Sequence, residues 1–201
     1  MSDMSRTSLT TDLTASLQDA ANVFDPADFD RFVDVAAEAL TDVRPRLVRT
    51  SLTVEAGTDR YAAPADLVRV HSSSWATPDT KPWDPAYTGR RPRLSAEHDG
   101  SQPWVVFRPA PTVAQVTRYG AACPVTYVAQ HVISETAGDT TIRAADRGLL
   151  ILRAQAEAMK EMSLRNIGKP VQMRDGVTQG PKNGTPAALY QQLMDEFGRR
   201  A

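Results

Sequence analysis

The sequence predicts an α+β fold: a helical bundle with an inserted antiparallel β region and a tethered C-terminal helix. Three observations predict it. Apolar residues recur every three or four positions near the start of the chain and again after residue 141, the period of a one-sided helix. Between those stretches the period shortens to two, interrupted by Gly, Pro and Asp turns. A polar link with three glycines, residues 172–184, then sets one last amphipathic segment apart.

Taken in order, the first helix is expected over about residues 9–24. Leu13, Leu17, Ala20, Ala21 and Phe24 form its stripe, and Thr10 or Thr11 supplies a capping hydroxyl. The second start signal is sharper. Asp25 caps and Pro26 takes the first helical position, where a missing N–H costs nothing. Phe29, Phe32, Val33, Ala36, Leu40 and Val43 follow at helical spacing up to Pro45. The short joint at Phe24–Asp25 predicts two helices packed along one seam.

From Arg49 the pattern is that of strands. Leu52 and Val54 alternate with Thr53 and Glu55, and Ala56-Gly57-Thr58-Asp59 has turn chemistry. Leu67, Val68 and Val70 suggest the next strand, Trp104 to Arg108 another, and Val125 to Val132 the last, with Val125, Tyr127 and Ala129 on one face. A long helix is expected from Thr141 or Ala144 to about Ile167. Leu149, Leu152, Ala156, Met159, Met162 and Ser163 face inward, and Arg147, Arg153, Glu157, Lys160 and Glu161 face outward. Gly168 and Pro170 stop it. Thr185 caps and Pro186 opens the last helix, which carries Leu189, Leu193 and Phe197 on one stripe. The resulting division is residues 1–48 for the N-terminal helices, 49–140 for the β region with a proline-rich arm, 141–170 for the long helix, and 171–201 for the tether and a partner-binding helix.

The balance of charge is nearly even, a net of −1, which argues against a protein held to nucleic acid by bulk charge. Its distribution is uneven. Asp12, Asp19, Asp25, Asp28, Asp30, Asp34, Glu38 and Asp42 crowd the first two helices, while Arg90, Arg91, Arg93 and Arg108 come later. Solvated helix faces account for such acids, and so do two unlike surfaces that meet in neighbouring subunits. The single cysteine, Cys123, precludes an intrachain disulfide and points to a reducing compartment. No apolar run is long enough for a membrane span, and the polar start lacks the pattern of a signal peptide, so a cytoplasmic product is expected.

Enzymatic readings find little support. His71, His98 and His131 are far apart in sequence and lack the spacing that places two imidazoles on one metal. Cys123 precedes Pro124 in a turn-like run without a glycine turn to stabilise an oxyanion. Residues 176–185 look superficially like a phosphate loop, but Asn183 stands where Lys182 needs Ser or Thr after it. No catalytic, cofactor-binding or metal residues are assigned. The remaining candidate is the arm, residues 72–102, rich in Pro, Ser, Arg and Gly and too long for an ordinary loop. Arg90, Arg91 and Arg93 suit phosphates, and Trp75, Trp83 and Tyr87 suit bases or a protein partner equally well. The arm is read as an exposed contact to a neighbour, to a tail protein or to DNA.

The order of elements resembles the head-to-tail adaptor (connector) proteins of tailed bacteriophages. The most motif-like part runs from Leu52-Thr53-Val54-Glu55-Ala56-Gly57-Thr58 to Tyr61-Ala62-Ala63-Pro64-Ala65-Asp66-Leu67, a glycine turn, a Tyr and a Pro-x-Asp corner. The long helix, Lys169-Pro170 and the helix opening at Thr185-Pro186 are similar to the same group. The resemblance implies a structural virion protein that forms a homo-oligomeric ring of twelve copies beneath the portal protein. It further implies a DNA channel passing through without sequence recognition, a platform for tail or nozzle proteins, and no cofactor. The terminal stripe, Leu189, Tyr190, Leu193 and Phe197, is read as the segment that grips the portal, because a tethered amphipathic helix fits a partner's groove. The alternatives are a tail-completion or tail-terminator ring, a DNA-binding packaging subunit, and a small cytosolic enzyme.

Overall fold

A computed structural model describes residues 3–76, 81–166 and 185–201. The expected tether and the stop at Gly168 and Pro170 lie outside those residues. The fold is α+β, and the chain divides into two compact units, Met1–Arg44 with His131–Ala201, and Pro45–Gln130.

The first unit is helical. Helix α1 spans Arg6–Leu17 and is capped by Ser5, whose hydroxyl accepts from the Ser8 N–H at 3.3 Å, so it begins earlier than Thr10 or Thr11 would have it. It also ends earlier. Residues Gln18–Val23 tighten into a 3-10 turn that still buries Ala21 and leads Phe24 into the core. Helix α2, Pro26–Val43, starts where Asp25-Pro26 predicts, with the Asp25 N–H donating to the Asp28 carboxylate at 3.2 Å. Helix α4, Arg147–Asn166, follows a short 3-10 turn at Ala144–Asp146, and α5 spans Pro186–Arg200 with Thr185 Oγ1 accepting from the Ala188 N–H at 3.2 Å.

The apolar stripes meet in one core. Leu9, Leu13 and Leu17 of α1 join Phe32, Val33, Ala36 and Leu40 of α2 and Leu150, Ala154 and Ala158 of α4, with Phe24, Phe29 and Phe32 edge to face. Charges tie the outer edges of the same helices. Arg147 of α4 pairs with Asp12 of α1, and Arg165 pairs with Asp28 of α2 at 2.9 Å while donating to the Val23 carbonyl at 2.8 Å.

The second unit holds two three-stranded antiparallel sheets. The first has the order β1 (Arg46–Thr53), β6 (Ala122–Ala129), β3 (Leu67–Ser73), with Arg46 opposite Ala129 and Thr53 opposite Ala122. The second has the order β2 (Arg60–Ala62), β5 (Pro103–Arg108), β4 (Arg93–His98). Leu52, Val54, Val105, Phe107, Val125, Tyr127 and Ala129 are buried together, so one core draws on both sheets. The inward face of Val125, Tyr127 and Ala129 is the face that alternation predicts.

Two elements of this unit go beyond the sequence expectation. Strand β4 lies inside the segment read as an arm, with Leu94 and Ala96 turned toward the core. Helix α3, Val113–Tyr119, sits where only a break was expected; Thr112 Oγ1 accepts from the Gln115 N–H at 3.2 Å, and the Gln115 side chain accepts from the Thr112 N–H at 3.0 Å.

Candidate assembly surfaces

The glycine-turn and Pro-x-Asp segment is a structural fastening. The Tyr61 hydroxyl accepts from the Glu55 N–H at 2.9 Å and lies 3.0 Å from the Glu55 and Thr58 carbonyls, closing the turn in which Gly57 has φ +83°. Its ring packs edge to face on Phe107 at 5.3 Å. Asp66 then receives the Tyr127 hydroxyl at 2.9 Å and Arg46 at 3.3 Å, and its carbonyl accepts from the Gln130 N–H at 2.8 Å. One corner therefore locks β1, β3 and β6.

The residues weighed for catalysis have structural surroundings. Cys123 is buried, with its sulfur 3.5 Å from Ser73 Oγ, and burial pushes its thiol pKa up, away from a reactive thiolate. The His131 ring lies 3.2 Å from Thr141 Oγ1 and 2.9 Å from the Arg44 carbonyl, bridging two stretches of the helical unit. His71 lies within β3 and His98 at the end of β4, both exposed. Among the described residues there is no group of three or more His, Cys, Asp or Glu side chains placed to hold a metal, and no helix long and apolar enough to cross a membrane.

The arm is largely folded, and its members separate. Trp75 is a core residue, only 3% exposed, with its indole N–H donating to the Gly120 carbonyl at 2.8 Å and its ring edge to face with Phe107 and Tyr119. It is not a contact anchor; the indole fills the core and its one donor is satisfied. Arg91 turns inward and donates to the Ser73 carbonyl at 2.9 Å. Arg93 opens β4 opposite Arg108. The backbone between is pinned to α3, with Gln115 donating to the Arg90 carbonyl at 2.9 Å and Arg118 to the Ala86 carbonyl at 2.8 Å. What remains outside is Trp83, 81% exposed, with Tyr87, Arg90 and Arg93 around it in sequence.

The terminal stripe is not unpaired, as the sequence suggested. Phe197 is buried, and Tyr190 and Leu193 pack against the same core as α1, α2 and α4. The reason lies in α4, which buries more of its circumference than a single stripe. Arg153 and Glu157, expected outside, are turned into the fold, with side chains 13% and 11% exposed and their charges 2.6 Å apart. The Arg153 guanidinium also lies 5.9 Å from the Phe197 ring centroid. A second apolar patch beside a paired charge gives α5 its seat. Leu189 stays on the solvent side, 38% exposed.

The acidic crowd on α1 and α2 is likewise partly neutralised from within. Asp12 and Asp28 face Arg147 and Arg165, while Asp30 and Asp34 face Arg6 at 3.7 and 2.7 Å. Asp34 and its neighbours raise the Arg6 pKa. A groove of about 680 Å³ runs along α1 beside Arg6, lined by Thr10, Thr11, Thr14, Ala15, Pro26 and Phe29, with Asp30 and Glu135 on its margin. The hydroxyls of Thr10, Thr11 and Thr14 donate to the carbonyls of Arg6, Thr7 and Thr10 at 3.1, 2.7 and 2.8 Å, so what these residues offer a partner is methyl surface. The recurrence of threonine at positions 7, 10, 11 and 14, every three or four residues beside the leucine stripe, is the sequence signal for it.

The family model described as SU10 adaptor protein matches residues 4–200 of the chain. No curated protein matches it.

Proposed function

Because the chain belongs to the SU10 adaptor protein family, a family of phage head-to-tail adaptors, we propose that it forms a ring of twelve copies beneath the portal protein. The ring extends the DNA channel of the filled head and gives the tail its attachment platform. The observation that carries this reading is the length of the family match, which takes in both units and the terminal helix. The structure adds support from its surfaces. The groove along α1 is lined by threonine methyls, Pro26 and Phe29 beside Arg6, Asp30 and Glu135, and the exposed Trp83 stands on a braced loop. Both are features of a protein that meets proteins.

In this proposal α5 meets the portal through its outer side, with Leu189 and the edge of Tyr190, while Leu193 and Phe197 keep the helix on α4. Arg90 and Arg93 face a neighbour, a tail protein or the passing DNA. The test is Leu189→Glu in the phage. An exposed position tolerates the charge, so the purified chain keeps its melting temperature, while its amount in purified particles falls at least ten-fold. Normal incorporation of the variant would remove α5 from the portal contact. The copy number per particle decides between the neck ring and a tail-terminator ring, twelve against six.

A further inference from the structure

Trp83 is placed at odds with ordinary burial. Its indole is 81% exposed, yet the loop that carries it is held at several points. Inside the loop, the Asp84 N–H donates to the Lys81 carbonyl and the Tyr87 N–H to the Asp84 carbonyl, both at 2.9 Å, and Asp84 Oδ1 accepts from the Ala86 N–H at 2.8 Å. Outside it, Arg118 and Gln115 of α3 hold the Ala86 and Arg90 carbonyls. Pro82 and Pro85 flank the Trp83-Asp84 pair and narrow its backbone freedom further. A large apolar side chain kept in water on a pre-ordered loop has the form of an interface anchor, because the entropy of ordering is removed before binding.

The loop and the start of β4 are also basic on the outside, with Lys81, Arg90 and Arg93 exposed against Asp84, while Arg91 turns inward. The groove beside α1 has the opposite character. Its lining is mainly apolar, from Pro26, Phe29, Ala15 and the threonine methyls, and around Arg6 gather Asp30, Asp34 and Glu135, three carboxylates to one guanidinium. Its volume of about 680 Å³ is enough to receive a ring-sized group. Two unlike patches, apolar in the middle and opposite in charge at the rim, are what a head-to-tail ring contact requires of each subunit.

We propose that the Trp83 loop of one copy docks in the α1–α2 groove of the next copy, with the indole over Phe29 and Pro26 and the loop's cations toward Asp30 and Glu135. The proposal rests on the ring reading and names the contact between its subunits.

Two variants of the full-length chain that each add one cysteine, Lys81→Cys beside the indole and Ala15→Cys in the groove, test it, since Trp83 stays in place and Cys123 is buried and stays out of the reaction. Mixed under mild oxidation at assembling concentration, they are expected to give a disulfide-linked heterodimer that neither gives alone. The double variant, carried in phage particles, is expected to give a ladder of linked multimers on a non-reducing gel. In wild-type background, Trp83→Ala is expected to raise the concentration for half-maximal assembly at least ten-fold, and Asp30→Arg combined with Arg90→Asp to recover more than half of what Asp30→Arg alone loses. If wild-type particles hold rings of the chain while the mixture yields no heterodimer and Trp83→Ala assembles normally, the contact is wrong and the ring stands. If wild-type particles lack the chain altogether, the ring reading fails, and this contact with it.

Discussion

The helical unit and the strand unit reach stability by different means. In the helical unit, segments far apart in the chain close on a core of leucine, alanine and phenylalanine, and arginines from one helix hold carboxylates of another. Even its inner seam contains charge, the Arg153–Glu157 pair beside Phe197. The strand unit is continuous in sequence, residues 45–130, and its core centres on Phe107, Trp75, Tyr61 and Tyr127, with polar atoms satisfied by backbone carbonyls and Asp66. Charge holds the first together at its edges, and aromatic packing holds the second at its centre. The difference places the candidate assembly surfaces as well. The ion-paired unit carries a methyl-lined groove with an acidic margin, and the aromatic unit presents one tryptophan outward and keeps another inside.

Trp75 and Trp83 give the sharpest contrast, and Trp75 the largest effect. Trp75→Ala removes a buried indole and orphans the Gly120 carbonyl, so a loss of about 3–5 kcal/mol is expected in urea titration. Cys123, protected in the native unit, then reacts with maleimide at a lower urea concentration. Next in size is the seam under α5. Glu157→Leu leaves Arg153 buried without its partner and is expected to cost about 3 kcal/mol or more. Adding Arg153→Met removes the stranded charge and is expected to restore most of that stability, which equilibrium unfolding of the single and double variants checks.

Acid offers a milder way to loosen the helical unit. Donation from Arg31, with the Asp25 backbone and Arg165, lowers the Asp28 pKa from 3.8 to about 2. A carboxylate depressed in the folded state stabilises above its ordinary pKa, and that contribution is lost as pH falls from about 4 through about 2. Helix content measured by circular dichroism is expected to melt at progressively lower temperature over that window. Asp28→Asn is expected to flatten the dependence. The smallest effect belongs to Trp83. Trp83→Ala should change stability by no more than about 0.5 kcal/mol, because an exposed side chain loses little on truncation. A loss near that of Trp75→Ala would remove the distinction between core and presented indole.

The helical unit was legible because its elements are long and one-sided. Asp25-Pro26 and Thr185-Pro186 mark helix starts, and the leucine and phenylalanine stripes on α1 and α2 point into the core as their spacing says. Helix α4 was read correctly in position but not in its faces, since periodicity reveals one buried stripe and cannot foresee a second helix covering Arg153 and Glu157. The strand unit was legible at β1, β3, β5 and β6, where β-branched and apolar residues cluster or alternate. Strand β4, Arg-Leu-Ser-Ala-Glu-His, holds few strand-favouring residues and gains its conformation by pairing with β5. Helix α3 announces itself through Thr112 and Gln115, a capping pair hidden by the prolines just before it. Within the candidate site, the exposure of Trp83 and the burial of Trp75 depend on tertiary contacts that no local pattern records.

We propose that this chain is a ring-forming part of the phage neck. Electron cryo-microscopy of purified particles, with the neck reconstructed without imposed symmetry, tests it most directly. Twelve copies of the chain are expected between portal and tail, each with its Trp83 loop against the α1–α2 groove of its neighbour. Particles whose neck contains no density for this fold, or a six-fold ring of it at the end of the tail tube, would contradict it.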